Sequence, residues 1–457
     1  MVLMLRERNK ILIDTVKRLL RRGAASNLHK IVNKTHAADL SQVFKALTLV
    51  SQRKLFGMID DLEQKGMLFS ELEDKVLLDL INSLPLNNIV DVLENMASDD
   101  AADILDKLPD EISDTILEKM KQEGSEELED LLSYEDDTAG RIMVPDFIAF
   151  EEHVTAKEAI NSLQTTHQDV EMVFYIYVID EYSKLVGVLS LRQLVVVPPN
   201  TPLKEFMTTD IFSVRTSMDQ EEVAKIVAQY DILAVPVVDE SNKLVGIITV
   251  DDVIDIFREE ATEDFLKMAG VGEEYVETQS IVKRTRTRLP WLFASAIGGV
   301  SAMFIINGFE ASLQRYAYLA AFIPVIMGMG GNIGTQSSTI VVRGLATGRI
   351  AIGEFWSVVG KELVTGLILG FVYGTLLGIV AHANFYEMVP SGMLAVSVAL
   401  AVISSMSISA LVGSLVPMLF ARVNIDPAVA TGPFVTTSID IISVYFYFII
   451  ATILLGL

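Results

Sequence analysis

The stretch Asp426-Pro427-Ala428-Val429-Ala430-Thr431-Gly432-Pro433-Phe434-Val435-Thr436-Thr437-Ser438-Ile439-Asp440 heads a run that stays apolar almost to the end of the chain. Crossing the roughly 30 Å hydrocarbon core of a bilayer takes about 20 apolar residues. The run at 428–455 is long enough to do so. Asp440, 13 residues beyond Pro427, therefore puts a carboxylate in the middle of a membrane span. A charge there costs about 2.5–3.5 kcal/mol on insertion scales. A buried ion pair or a protonated acid would be the plain structural explanation. No basic residue sits at matching depth in any other apolar run, which favours a carboxylate facing a cation path. Thr436, Thr437 and Ser438 add oxygen ligands beside it.

Four further runs, at about 290–309, 317–342, 363–383 and 392–420, complete five spans. Lys283, Arg284, Arg286 and Arg288 precede the first, Arg343, Arg349 and Lys361 follow the second, and Arg422 follows the fourth. Only Arg315 lies in a loop on the opposite side. The positive-inside rule places the N-terminal part in the cytoplasm and the C-terminus outside. The second span holds Pro324, Gly328, Gly330, Gly331, Asn332, Gly334 and Gln336. Glycines alone would mean close helix packing. Pro324, Asn332 and Gln336 point further, to a helix whose exposed carbonyls line a polar path. Every candidate ligand is a hard oxygen donor, which suits Mg2+, Ca2+ or Mn2+.

Composition splits the chain in the same way. From Trp291 onward there are six acids and five bases; the rest of the 60 acids and 36 bases lie before it. Nearly all of the net charge of −24 belongs to a soluble front. So acidic a front argues against nucleic acid as a partner. With no cysteine and five histidines, disulfides, thiolate metal sites and a histidine-rich metal centre are excluded or disfavoured. Met1 to Lys10 is charged, lacks an apolar core, and does not read as a signal peptide.

In the front third, Leu84-Pro85 recurs as Leu108-Pro109, and Val92-Leu93-Glu94 as Ile116-Leu117-Glu118. A period of 24 opened by Pro predicts stacked helix hairpins. Ser98 is the expected N-cap of a helix burying Ala101, Ala102, Ile104 and Leu105. Asp99 and Asp103 share a face of that helix, either as a solvated surface or as half of a cation site.

The middle is a tandem repeat. Val178-Ile179-Asp180-Glu181 with Lys184-Leu185-Val186-Gly187 returns 59 residues later as Val237-Val238-Asp239-Glu240 with Lys243-Leu244-Val245-Gly246. Strands and helices alternate in each copy, predicting two α/β modules. Ile142-Met143 and Phe206-Met207 open them. These residues resemble a pair of cystathionine-β-synthase (CBS) domains. In that family the Thr and Asp of Gly246-Ile-Ile-Thr249-x-x-Asp252 hold an adenine nucleotide's ribose. The first copy has Ser190 and Gln193 there, so the resemblance puts an ATP-type nucleotide at the second, on Thr249 and Asp252. Asp251, Asp252, Asp255, Glu259, Glu260, Glu263 and Asp264 crowd the end of this region, and a divalent cation would relieve their repulsion.

Taken together, the chain resembles the bacterial MgtE family of magnesium channels. The matching residues are Gly330-Gly331-Asn332-x-Gly334-x-Gln336, Asp426-Pro427-Ala428, Gly432-Pro433 and Asp440. The resemblance implies a multidomain membrane protein. Its parts are an all-α helical-repeat N domain (1–138), an α/β tandem CBS pair (139–203 and 204–265), a connecting helix (266–289) and a five-span α-helical transmembrane domain (290–457). It implies a homodimer in the bacterial plasma membrane, with the pore between subunits, taking up Mg2+ or other divalents such as Co2+ or Mn2+. Carried over by position, Asp440, Asn332, Gln336, Gly331, Thr436 and Asp426 line the path. Asp99, Asp103, Asp219, Glu221, Asp231, Asp252, Asp255, Glu263 and Asp264 bind the Mg2+ that shuts it. An ion-coupled secondary transporter and a membrane-anchored cation or nucleotide sensor remain as alternatives. No nucleophile–base arrangement, phosphate loop or redox motif stands out, so the chain reads as a non-enzyme.

Overall fold

A computed structural model describes residues 2–165, 174–271, 281–386 and 391–456. Part of the expected connecting helix, 272–280, lies outside the described residues. The chain forms two compact units, Met1–Phe257 and Arg258–Leu457.

The first unit begins with helices α1 (Val2–Arg22), α2 (Ala25–Val32), α3 (Ala37–Lys45), α4 (Leu49–Phe56), α5 (Leu62–Ser70), α6 (Asp74–Ile81), α7 (Leu86–Leu93), α8 (Ser98–Asp106), α9 (Asp110–Leu117) and α10 (Gln122–Leu132). The 24-residue period is two short helices. Pro85 and Pro109 stand at the N-caps of α7 and α9, where proline's missing N–H leaves no helical bond unmade. Ile89, Val90, Val92 and Leu93 of α7 are buried, as are Ala101, Ala102, Ile104 and Leu105 of α8. Ser98 is not the cap expected of it. Ala97 holds that position, and the Ser98 hydroxyl bonds Glu127 of α10 instead.

Two three-stranded sheets follow. They are β1 (Ala149–Glu151), β2 (Tyr175–Ile179) and β3 (Leu185–Ser190), then β4 (Val214–Arg215), β5 (Ala234–Val238) and β6 (Leu244–Thr249). In each, the first pair is parallel and the second antiparallel, with Val178 opposite Gly187 and Val237 opposite Gly246. Helices α11 (Ala156–Thr165), α12 (Leu191–Val196), α13 (Gln220–Tyr230) and α14 (Val250–Met268) accompany them. The segments that open each copy also reach across to the other. Val144 bridges Ile247 and Thr208 bridges Val188. Met143 packs on Gly246, where a Cβ would approach its Sδ to 2.7 Å, and Met207 packs on Gly187. The repeat's glycines make room for this exchange.

The second unit holds α15 (Ile281–Gly308), α16 (Glu310–Arg315), α17 (Ile323–Ala346), α18 (Phe355–Asn384), α19 (Ser391–Arg422), α20 (Pro427–Thr431) and α21 (Pro433–Leu455). Five segments among the described residues are long and apolar enough to span a membrane: Arg284–Gly308, Ala317–Ala346, Ile352–Asn384, Gly392–Arg422 and Pro433–Leu455. The third begins well before the expected 363. The fifth is not one helix from 428: Gly432 (ψ −135) breaks it, and Pro433 restarts it with no N–H to return to Val429. Asp440 is thus the eighth residue of α21, not its middle. Helices α18 and α19 meet through Gly366, Gly370, Gly374 and Gly378. A Cβ there would lie 2.7, 3.0, 2.6 and 2.9 Å from α19 atoms, so small residues set the spacing.

Candidate functional site

Asp440 faces α17. A Cβ built on Gly331 would lie 3.8 Å from its Oδ1. Among the described residues no charged group acts on it. Helix α17 is continuous, with Pro324 in its first turn, so its carbonyls stay in the helix rather than lining a path as expected. The freed carbonyls belong to the α20–α21 break. Asn332, Thr335, Gln336 and Thr339 form one exposed row along α17. Its opposite side is buried: Gly330 sits against Ser405, Ser409 and Ser443, and Gly334 against Ile439 and Gly413. The Ser405 hydroxyl also donates to Ser443 at 2.8 Å. The Thr436 hydroxyl turns back to Gly432 and Pro433 carbonyls at 3.4 and 3.2 Å.

Asp426 has a different setting from Asp440. It caps α20 through Ala428 N–H at 2.7 Å and pairs with Lys267 at 2.9 Å. Lys267 also pairs with Glu263 one turn earlier on α14. In the same place the backbone of α14 closes on the helix break, with Gly432 against the Lys267 and Met268 carbonyls.

In the first unit, the expected regulatory acids are spread out. Asp219 caps α13 by accepting from Glu221 N–H at 2.9 Å, and Glu221 pairs with Lys225. Asp231 ends that helix in the left-handed region (φ 51). Asp103 pairs with Lys107, which also holds Asp74. Asp255 is exposed. No group of three or more acids or histidines among the described residues is placed to hold a metal. Crowding is seen at Asp100, which neighbours the expected Asp99, together with Asp251 and Asp252. Burial, then Asp251 and Asp100, push Asp252 up to about 6 against the opposing bonds from Thr249. Burial, then Asp103 and Asp251, likewise raise Asp100 despite its bond from Ser70 at 2.8 Å. The acids start α8 and α14, where the helix dipoles offset only part of the repulsion. Mg2+ usually keeps several waters and takes one or two carboxylates, which this pair of helix starts can supply.

Thr249 and Asp252 are together, but engaged. The Thr249 hydroxyl lies 2.6 and 2.5 Å from Asp252 and Asp251 as their donor, and Asp252 accepts from the Thr249 N–H at 3.2 Å, half of a capping box at the start of α14. Ser190 and Gln193 form the matching capping box on α12. A cleft of about 140 Å3 opens elsewhere between the two sheets, lined by Tyr175, Tyr177, Asp210, Phe212, Ile232 and Pro236 among others. Tyr177 is 1% exposed, and its hydroxyl has no hydrogen-bond partner among the described residues. An aromatic-walled cleft with an unpaired hydroxyl fits a purine base. Sequence reading missed this cleft because its wall comes from both copies. It also missed Glu362, which fell one residue outside the expected third span.

Comparison with known proteins agrees with this architecture. The family model for the MgtE divalent cation transporter matches residues 323–450, that for the MgtE intracellular N domain 35–137, and that for the CBS domain 139–200 and 203–259. The magnesium transporter MgtE of Enterococcus faecalis is 38% identical over 71% of both chains. That of Bacillus subtilis is 33% identical over 95% of both. A crystal structure of the cytosolic domain of the Mg2+ channel MgtE in complex with ATP matches with TM-score 0.51 and 33% identity, covering 53% of this chain and 99% of that one. With the soluble modules, the five apolar helices and a full-length relative all in register, the chain belongs to the MgtE family of magnesium transporters.

Proposed function

We propose that the chain is a Mg2+ channel of the plasma membrane, built as a homodimer whose path runs between two copies of the exposed α17 row. The observation that carries this is Asp440 beside Gly331, a carboxylate in an apolar span without a charged partner among the described residues. The uncovered row of Asn332, Thr335, Gln336 and Thr339 supports it, because amides and hydroxyls facing lipid would lose their hydrogen bonds. Across a dimer interface they face water and the passing ion instead. Asp440 supplies charge, Asn332 and Gln336 supply oxygens, and the carbonyls freed at the Gly432–Pro433 break add more. The bias of basic loops supports cytoplasmic N-terminal domains and an outside C-terminus.

Cytosolic Mg2+ closes the path by bridging acids on α8 and α14, where Asp100, Asp251 and Asp252 repel one another, and at the Glu263–Asp426 junction. Asp99, Asp103, Asp219, Glu221, Asp231, Asp255 and Asp264 are the remaining candidates. An adenine nucleotide modulates the soluble unit from the aromatic cleft. The ATP complex of the related cytosolic domain supports that class of ligand. Recording from the purified full chain in a bilayer tests the reading. Current carried by Mg2+ with no gradient of any second ion, lost in Asp440→Ala, is the expected result. Flux that requires a second ion's gradient would replace the channel with a coupled transporter.

A further inference from the structure

Helix α18 carries a carboxylate that the path just described does not use. Glu362 is the eighth residue of α18 and Asp440 the eighth of α21. Along α17 the two acids meet residues six apart, Asp440 at Gly331 and Glu362 at Ser337, so they lie about 9 Å from one another in depth. Glu362 is half-buried, and its Oε2 accepts from the Ser337 hydroxyl at 2.7 Å. Ser337 is 1% exposed and sits on α17, one residue beyond Gln336 and five beyond Asn332.

The rest of the surroundings of α17 say why such a bond is needed. Against α19 and α21 the helix presents Gly330 and Gly334, which allow close approach, and one directional bond ties it there, from the Ser405 hydroxyl to the Ile326 carbonyl at 3.3 Å. Helix α18 itself is committed to α19 through its four glycines. The Ser337–Glu362 bond adds a second directional tie eleven residues further along α17, on the side of α18. We propose that Glu362 is a positioning residue for transport. By accepting from Ser337 it fixes the depth and rotation of α17, and so holds Gly331, Asn332 and Gln336 in register with Asp440.

This rests on the path assigned in the preceding section, and the test separates the two. The Mg2+ over Ca2+ permeability ratio would be measured on full-length chains of equal monodispersity carrying Glu362→Ala, Glu362→Gln, Ser337→Ala, the Ala–Ala double change, or Asp440→Ala. Glu362→Ala and Ser337→Ala are each expected to lower the ratio about tenfold, as befits one lost hydrogen bond to a charged group. Glu362→Gln keeps a carbonyl acceptor and should stay within about twofold of the parent. The double change should be no worse than either single one, since both break one bond. Glu362→Gln as damaged as Glu362→Ala would mean that the charge itself matters and would overturn the positioning role. So would a normal Ser337→Ala beside a damaged Glu362→Ala. Unchanged selectivity in Asp440→Ala would sink the path reading instead.

Discussion

The two acidic places of this molecule solve opposite problems. In the membrane unit, Asp440 stands beside Gly331, with no charged group acting on it among the described residues. In the soluble unit, Asp100, Asp251 and Asp252 are forced together at two helix starts, and burial and repulsion raise both Asp100 and Asp252. A lone carboxylate attracts a divalent ion without neutralising it, so the ion can leave again. A crowded group gains most when an ion stays. The first arrangement suits passage and the second suits sensing. Removing one charge should therefore have opposite consequences in the two places.

At Asp440 the consequence is loss. Asp440→Ala should cut Mg2+ conductance roughly a hundredfold, the scale of about 3 kcal/mol for stripping a desolvated charge of its partner. Asp440→Asn should do nearly as much, because shape without charge does not hold a divalent ion. Single-channel recording under symmetric Mg2+ decides this. The packing around that site should be almost as unforgiving. A Cβ on Gly413 meets the Gly334 carbonyl, which is backbone and cannot swing aside. Gly413→Ala should lower the thermal stability of the detergent-solubilised chain by about 1–3 kcal/mol, the usual range for overpacking. Unaltered unfolding would mean that α17 and α19 are not in close contact there.

The acids differed just as much in how readable they were. Asp440 stands out because an apolar window tolerates no unexplained charge. The Gly432–Pro433 break was present in the letters but hidden by apolar flanks on both sides, so one long helix was expected. Lys361-Glu362 truncated the apolar window and pushed Glu362 outside the third span, although α18 starts at Phe355. In the soluble part, periodicity found the buried stripe of α8 without error. It did not single out Asp100, whose repulsion with Asp251 and Asp252 comes from packing of α8 on α14 and not from spacing along α8. The 59-residue repeat revealed two modules, but not that Met143 and Met207 each serve the other copy. That exchange is long-range and leaves no local pattern.

At Asp252 the consequence of losing a charge should be gain. Its carboxyl titrates near 6 when folded, against an ordinary value of 3.8. Between those values the folded chain binds more protons than the unfolded one, so stability falls as pH rises through that window. The contribution is present below about pH 4 and lost by about pH 6, at most about 3 kcal/mol from the size of the shift. Without divalent ions, the protection factors of the α8 amides, which correct for the intrinsic base-catalysed rise in exchange, should fall from pH 4 to pH 7. Added Mg2+ should raise them at pH 7 and do little at pH 4. Asp252→Asn, which still accepts from Thr249, should flatten both dependences. Protection that ignores both pH and Mg2+ would place the sensing elsewhere.

The smallest effect sharpens the same contrast by moving one residue away from the acids. If Thr249 and Asp252 hold the nucleotide's ribose, Thr249→Val should weaken ATP binding by about tenfold, the cost of one lost charge-linked hydrogen bond. If they serve mainly to cap α14, as their mutual bonds at 2.6 and 3.2 Å suggest, the same change should leave ATP affinity within about twofold. In that case Ile232→Arg, which fills the aromatic cleft beside the unpaired Tyr177 hydroxyl, should abolish it. Calorimetry with ATP on the full chain, with Mg2+ held constant, separates the outcomes. Loss in Thr249→Val with retention in Ile232→Arg would return the nucleotide to the second CBS copy. It would also mean that the bonds of Thr249 to Asp251 and Asp252 open on binding, so that nucleotide and cation compete for the same carboxylates.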